Sequence, residues 1–553
     1  MRDRFCPVLE PEFKSCKPPF SFYRFADKQW PDENNRTLHR IFSLMRKMKA
    51  QTMVVEKLDR ARELDAEAAA AEVRCQASVG FQAYRLGFFS SPVTWETLPY
   101  ADDTDYLGYA VVLSIGLPDG TSRKYIYEAV IVEPSFQQED RKTFGTSLPA
   151  HYVHCVRRYS AWVAGHRFTL WGSFFAQQNG LTNVCAHVAL RSVLNNLPER
   201  AERMISCEEI NHDLNIDHAT RKIGRYGGEA ESSGLHPSEI CKVIEKHGWK
   251  FILSNYEDPV GQPQPYWKFV YSIIESGYPV LVYFTAGQAQ HVICVVGHTL
   301  NTDVWDAEAR LAYSGAPRAE YLSSASWIDH FVIHDDNYGM YLCMPSKALY
   351  PTAGGRRPFQ VTGAVGIVPT EMELGPLLAE PLASWALRCT TRTDFLQDCY
   401  WLHVLRHEDD AFGKWLVLRT LCVGKGCYQQ HLQDIEDVQG NALKGNEISV
   451  ITGSLPEHFW MTEVTLTDVY TANKRKLGEV LFSLSDPAIR TEDSNEEYTS
   501  KVFSKCLAIR LPGNVVIPQV ESNDQVSLRV WPTDLTGHVP LLRMRSPIPR
   551  FEW

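Results

Sequence analysis

Residues Gln177–Leu190 read QQNGLTNVCAHVAL and place a single cysteine, Cys185, at the start of an apolar, periodic segment. The apolar positions roughly follow the helical period, and Thr182 or Asn183 can cap the helix. Cys185 then lies in the first turn, where the positive end of the helix dipole favours a thiolate. The upstream amides and the Cys185 backbone N–H can donate to an oxyanion. The alternative is a buried structural cysteine, since free cysteine is among the most buried residue types.

The composition indicates a globular protein of several domains. The chain has 553 residues, 44% of them apolar, and this length suggests about three to four domains. The net charge of −10, from 56 Lys and Arg against 66 Asp and Glu, provides no general basic surface for nucleic acid or an anionic membrane. The first residues lack an apolar signal core, and no apolar run approaches the ~18 residues of a membrane helix. We therefore expect a cytoplasmic protein that binds neither nucleic acid nor membrane.

The cysteines indicate reduced thiols. The chain has 14 cysteines and no CxxC pair, which argues against a disulfide framework or a zinc knuckle. No metal and no cofactor are expected from this pattern.

Shifts in pattern divide the chain into five segments. From Leu38 to about Cys75, apolar residues among charged ones predict one long helix or a helical hairpin. Two β-prone runs around Pro118-Asp119-Gly120 predict a hairpin. The segments are an N-terminal arm with a long helix (1–80), a small β-rich region (81–167), the domain that holds Cys185 (168–350), a linker (351–369) and a β-rich accessory domain (370–553).

Two predicted strands bring a histidine and an acid to one sheet edge. His291–Gly297 is a strand with the histidine at its first residue, and Trp327–His334 is a strand that runs into Asp335 and Asp336. If these strands pair antiparallel, His291 lies beside Asp335 or Asp336. An imidazole oriented by a carboxylate can take the proton of a facing thiol, so these residues are candidate partners of Cys185.

The order of cysteine, histidine and acid resembles that of papain-like cysteine peptidases. It is most similar to the bacterial group around the bacteriocin-processing, or double-glycine, peptidases, over about Trp171 to Pro345. The residues that carry the resemblance are Gln178, Cys185-Ala186-His187, Gly277-Tyr278-Pro279-Val280, His291-Val292-Ile293-Cys294-Val295-Val296-Gly297 and Ile333-His334-Asp335-Asp336-Asn337-Tyr338-Gly339. The resemblance implies an α+β fold, with the cysteine helix packed on an antiparallel sheet that bears the histidine and the acid. An N-terminal helical and β region and a C-terminal β-rich domain flank it.

The resemblance also implies the roles of the site residues. These roles are nucleophile for Cys185, general base for His291, orienting acid for Asp335 and oxyanion donor for Gln178. Asp336 and Gln177 remain alternatives for the last two. The chain has Ala186 where that group commonly has glycine, and the insertion before the acid is long, so substrate rules are not transferred.

The combined interpretation is a cysteine peptidase that hydrolyses a peptide or isopeptide bond through a thioester, without a cofactor. Its partner is a protein or peptide substrate, and the oligomeric state is left open. One alternative is an acyltransferase, transglutaminase or glutamine deamidase that uses the same triad. Another is an inactive papain-like scaffold that binds a partner protein. Because the resembled group cuts after paired glycines, self-cleavage at Gly355 is a further hypothesis, beside a plain flexible joint.

Overall fold

Helices and antiparallel sheets alternate along the chain. The computed structural model describes residues 3–29, 36–133, 150–198, 203–227, 234–257, 265–287, 289–300, 321–348, 359–394, 396, 400–407, 416–467, 469–470, 474–521 and 525–542. The helices in these residues are α1 (Phe22–Gln29), α2 (Arg36–Lys47), α3 (Glu63–Cys75), α4 (Cys185–Asn196), α5 (Cys207–Asp213), α6 (Pro237–Lys246), α7 (Tyr266–Glu275), α8 (Pro376–Thr391), α9 (Tyr400–His407), α10 (Lys425–Asp434), α11 (Gly445–Thr452) and α12 (Asn495–Lys505). None of these helices is both long enough and apolar enough to cross a membrane.

The strands account for the β part of the α+β class, which the structure confirms. They are β1 (Glu12–Ser15), β2 (Thr52–Leu58), β3 (Gly80–Phe89), β4 (Tyr106–Gly116), β5 (Ser122–Val132), β6 (Ala150–Val153), β7 (Arg157–Val163), β8 (His166–Phe175), β9 (Lys250–Asn255), β10 (Val280–Ala286), β11 (Ala289–Leu300), β12 (Leu322–Ser323), β13 (His330–Asp335), β14 (Gly339–Pro345), β15 (Phe359–Val368), β16 (Leu416–Gly424), β17 (His458–Leu466), β18 (Arg475–Lys476), β19 (Gly478–Phe482), β20 (Cys506–Leu511), β21 (Asn514–Val520), β22 (Val526–Pro532) and β23 (Val539–Pro540).

The chain forms two compact units, each assembled from three segments. The first unit comprises Met1–Gln262, Tyr278–His298 and His330–Ile367, and the second comprises Pro263–Gly277, Thr299–Asp329 and Val368–Trp553. The units therefore cross the expected segment boundaries. Helix α7, for example, lies within the expected 168–350 domain in sequence but belongs to the second unit.

The first sheet of the first unit is antiparallel, in the order β1-β2-β3-β4-β5-β8-β7. The predicted hairpin around Pro118-Asp119-Gly120 is confirmed as β4 and β5. The prediction of one long helix or a helical hairpin from Leu38 to Cys75 is wrong, because β2 lies between α2 and α3. Met53, Val54 and Val55 are consecutive buried residues in this strand. Burial on both faces of a sheet removes the alternation that would have marked a strand.

The second sheet of the first unit runs in the order β14-β13-β11-β10-β15-β9. Strands β11 and β13 pair antiparallel, with Cys294 opposite His334, as predicted. The predicted linker 351–369 is wrong in its second half, since β15 (Phe359–Val368) pairs with β10. Its first half, including Gly354 and Gly355, lies outside the described residues.

The N-terminal residues pack against the outer strand of this second sheet. Arg40 in α2 donates to the carbonyl oxygens of Met340 (3.0 Å) and Tyr341 (2.5 Å) in β14. Gly339 has φ +115°, and a Cβ at this position would lie 2.7 Å from Cγ of Arg40. Glycine is therefore required where β14 begins. The expected N-terminal arm contains β1 and α1, and the helix that follows, α2, contacts the turn after Asp335 through Thr37 and Arg40.

A buried ion cluster fastens helix α4 to the first sheet. Arg191 in α4 donates to Oε2 of Glu128 in β5 at 3.0 Å, and Arg4 donates to both oxygens of the same carboxylate. Burial alone would raise the pKa of Glu128, but the two guanidinium groups hold it below its usual range. A buried carboxylate is stable only when it is paired in this way. The start of the helix therefore has a defined position relative to the sheet.

The second unit contains the sheet β12-β16-β17-β19-β20-β21-β22 and the small sheet β18-β23. The strands predicted near residues 459–466, 477–482, 506–511 and 526–531 are confirmed as β17, β19, β20 and β22. Four charged residues lie opposite one another on consecutive strands: Arg419, Glu463, Glu479 and Arg510. Lys476 lies 2.7 Å from Glu463 and 3.3 Å from Glu479, and all five are buried. The unit is thus rich in β-strands, and its buried charged side chains form ion pairs with one another.

Candidate active site

Cys185 is the first residue of α4, as predicted, and is partly exposed. Thr182 and Asn183 do not cap this helix, which corrects the sequence-based expectation. The N-cap is Val184, and its backbone N–H donates to Nδ1 of His187 at 3.4 Å. Burial lowers the pKa of His187 to about 3, so its ring is neutral and can accept this bond. His187 therefore orders the helix start that carries the thiol.

The loop before Cys185 folds around the side chain of Asn179. Its Oδ1 accepts hydrogen bonds from the backbone N–H groups of Leu181 (2.7 Å), Thr182 (2.9 Å) and Asn183 (3.2 Å). Its Nδ2 donates to Oε1 of Glu67 at 2.8 Å. Glu67 is fully buried in α3, and burial raises its pKa. Sequence reasoning missed Glu67 because it lies in an alanine-rich run, where a glutamate is ordinary helix composition.

The two glutamines before the cysteine have different environments. The backbone N–H of Gln177 donates to the carbonyl oxygen of Ile126 at 2.8 Å. The Oε1 of Gln177 accepts the backbone N–H of Ile126 at 3.0 Å. The side chain of Gln178 is partly exposed and makes no hydrogen bond among the described residues. Gln177 is therefore fixed through its Oε1, whereas no such bond orients the Gln178 side chain among the described residues, and Gln178 stays the proposed oxyanion donor.

His291 lies between the thiol and two carboxylates. It is the third residue of β11, pairs with Phe284 and makes an edge contact with that ring at 5.4 Å between centroids. Its Nε2 is 3.2 Å from Oδ2 of Asp335. Burial alone would lower the pKa of His291, but hydrogen bonds to Asp335 and Cys185 and the charges of Asp336 and Asp335 raise it to about 10. Since Nε2 faces the carboxylates, Nδ1 is the ring nitrogen that remains for Cys185.

Both candidate acids face the imidazole, but they are held differently. Asp335 ends β13, and its Oδ1 accepts the backbone N–H of Asn337 at 2.8 Å, which leaves Oδ2 directed at Nε2. Oδ1 of Asp336 lies 3.6 Å from the same nitrogen. Both oxygens of Asp336 are buried and accept no hydrogen bond from the described residues. Burial raises the pKa of Asp336 to about 7. Asp335 thus has the geometry of an orienting acid, and Asp336, the alternative acid of the sequence analysis, lies farther from Nε2 of His291.

The donor atoms of His291, Asp335 and Asp336 all lie within 4.8 Å of one another, a separation that suits a metal ion. The sequence had suggested no metal, because its cysteines form no CxxC pair. The structure therefore brings together Cys185, His291, Asp335 and the alternative acid Asp336 of the predicted site, and it adds His187, Asn179 and Glu67 at the start of the cysteine helix.

The arrangement can perform nucleophilic chemistry. A thiol at a helix start, a basic imidazole and an orienting carboxylate are the parts that an acyl transfer through a thioester requires. Comparison of the chain with protein-family models, with curated proteins and with solved structures finds no match.

Proposed function

We propose that the protein is a cysteine peptidase that uses Cys185, His291 and Asp335 to hydrolyse a peptide or isopeptide bond. One observation carries the proposal: Nε2 of His291 lies 3.2 Å from Oδ2 of Asp335, and Cys185 is close enough to help raise the pKa of His291. A papain-like fold of this region is part of the proposal. It is supported by a cysteine helix that contacts β8 and β10, and by the antiparallel strands β11 and β13 that carry the histidine and the acid.

The reaction starts from the ion pair in which Nδ1 of His291 already holds the thiol proton, as the raised pKa of His291 favours, and the Cys185 thiolate attacks the substrate carbonyl carbon. The negative oxygen that forms accepts hydrogen bonds from the Cys185 backbone N–H and the Gln178 side chain. The imidazolium returns the proton to the leaving amine as the carbon–nitrogen bond breaks, and a thioester remains. His291 then takes a proton from water, the hydroxide displaces the thiolate, and the acid is released.

The same steps with other reactants give the alternative reactions. An amine in place of water makes the protein an acyltransferase or transglutaminase, and a side-chain amide as substrate makes it a glutamine deamidase. An inactive scaffold would carry out none of these steps.

A peptide library separates these functions. Peptides from a digested proteome are incubated with the wild type, with Cys185→Ala, and with Cys427→Ala as a matched control from another helix start. Hydrolysis produces shorter peptides with new carboxyl ends, which disappear in Cys185→Ala and persist in Cys427→Ala. Amine adducts or conversion of glutamine to glutamate would replace this proposal with one of the alternatives. Equal products from the wild type and Cys185→Ala would contradict it.

A further inference from the structure

We infer that His291, Asp335 and Asp336 form a binding site for a divalent transition-metal ion, with Zn²⁺ as the best fit. The three residues present one nitrogen and two carboxylate oxygens to a common point: Nε2 is 3.2 Å from Oδ2 of Asp335 and 3.6 Å from Oδ1 of Asp336. Ligands at about 2.0–2.1 Å from a tetrahedral Zn²⁺ lie about 3.3 Å from one another. The two measured separations bracket that value.

The burial of the Asp336 carboxylate without hydrogen bonds is the independent observation that points to a ligand. The residue is 5% exposed, and neither carboxylate oxygen accepts a hydrogen bond from the described residues. A buried carboxylate without hydrogen bonds costs free energy, and a bound cation supplies the missing interaction. Catalysis by a triad needs only one acid beside the histidine, so the proposed peptidase reaction does not explain this second carboxylate.

The surroundings match those of metal ligands in proteins. Ligating carboxylates are themselves hydrogen-bonded, and Asp335 receives the Asn337 backbone N–H at 2.8 Å on the oxygen that faces away from the site. Nδ2 of Asn337 lies 3.5 Å from Nε2 of His291. A fourth ligand beside this polar side chain would be water, which Asn337 could hydrogen-bond. Imidazole with carboxylates is a donor set that Zn²⁺ accepts.

A bound ion would block the proton transfers of His291. Zn²⁺ occupies the Nε2 lone pair and displaces the proton there to solvent. Nδ1 then keeps its proton, since losing it as well would leave an imidazolate, and His291 can no longer take a proton from Cys185 or from water. This consequence rests on the proposed peptidase function, whereas the metal site itself does not. The ion would act as a reversible inhibitor.

The test is a titration of the metal-free, full-length protein, kept reduced, with Co²⁺ followed by visible absorption, and then displacement by Zn²⁺. Four-coordinate Co²⁺ has strong visible bands, and a thiolate ligand adds a near-ultraviolet charge-transfer band. The variants are Asp336→Asn, Asp335→Asn and Cys185→Ala. The matched control is Asp213→Asn, because Asp213 also pairs with a histidine, His247, at 2.9 Å, but has a lysine as its second neighbour.

We expect one saturable site with visible bands and without a thiolate band. Loss of a ligand commonly weakens a metal site by tenfold or more, so Asp336→Asn and Asp335→Asn raise the Kd by at least about tenfold. Cys185→Ala and Asp213→Asn leave it unchanged. Equal affinity of the wild type and both site variants, a thiolate band, or the absence of a saturable site would each overturn the inference. None of these readouts uses enzyme activity, so they are independent of the peptidase proposal.

Discussion

His187 should make the helix that carries Cys185 sensitive to acid. Its ring is buried, and burial lowers its pKa from 6.5 to about 3. Arg221 and His218 contribute to this lowering, while Glu239 and the amide of Asn211 act in the opposite direction. The folded ring therefore stays neutral and accepts the Val184 N–H at pH values where the unfolded ring is already protonated.

The sign and size of the effect follow from this difference in pKa. Between pH 6.5 and about 3 the unfolded state binds a proton that the folded state does not bind, so the free energy of unfolding falls as the pH falls. Each unit below 6.5 costs about 1.4 kcal/mol, so at pH 5 the loss is about 2 kcal/mol, or about a thirtyfold larger opening constant. Above pH 6.5 the contribution is fully present.

Hydrogen exchange of the α4 peptides measures this opening constant. We expect about thirtyfold more opening at pH 5 than at pH 7.5 in the wild type, after correction for intrinsic exchange rates. His187→Asn, which cannot titrate, should remove most of this dependence, whereas His212→Asn, at an exposed histidine of α5, should keep it. If His187→Asn retained the wild-type response to pH, the capping role assigned to His187 would be refuted.

Three further predictions concern the residues around Cys185. Asp335→Asn should slow alkylation of Cys185 by about 10–100-fold, which corresponds to the free energy of a charge-assisted hydrogen bond, and Asp336→Asn should slow it less. If Asp336→Asn slowed alkylation more than Asp335→Asn, Asp336 would be the orienting acid. Gln178→Ala should lower turnover of a cleaved peptide by about 10²–10³-fold while alkylation of Cys185 is unchanged, and an equal loss in Gln177→Ala would contradict the assignment. Asn179→Ala leaves three backbone N–H groups without an acceptor and should lower the stability of the loop by at least about 3 kcal/mol. We expect faster amide hydrogen exchange at Leu181, Thr182 and Asn183. Unchanged exchange at these residues would show that other groups hold the loop.

The sequence was most informative where a local pattern and a chemical residue coincide. Cys185 begins α4 because an apolar periodic run follows a polar loop, and His291 and Asp335 lie at strand ends that antiparallel pairing brings together. Their proximity could be predicted because register is fixed once both strands are recognised.

What the sequence could not reveal depends on contacts between distant segments. Glu67 and Asn179 are 112 residues apart in the chain, and neither has a local pattern that names its partner. Strand β2 was mistaken for helix because its residues are buried on both faces and lack alternation. The sequence could not show whether Asp335 or Asp336 is the orienting acid, since only the fold shows which of two adjacent carboxylates receives a hydrogen bond.

The central claim, that His291 activates Cys185, is tested most directly by competitive alkylation within one molecule. Cys427 provides the internal reference, because it also lies in the first turn of a helix, α10, and is exposed, whereas Cys185 is only partly exposed. Exposure alone would therefore favour Cys427. The wild type and His291→Ala are treated with limiting iodoacetamide near neutral pH, and labelling of both cysteines is followed by peptide mass spectrometry.

We expect Cys185 to be labelled at least about tenfold faster than Cys427 in the wild type, since the thiolate is the reacting form. His291→Ala should remove this advantage and leave the rate at Cys427 unchanged. Faster labelling of Cys427 in the wild type, or an advantage of Cys185 that survives in His291→Ala, would contradict the account.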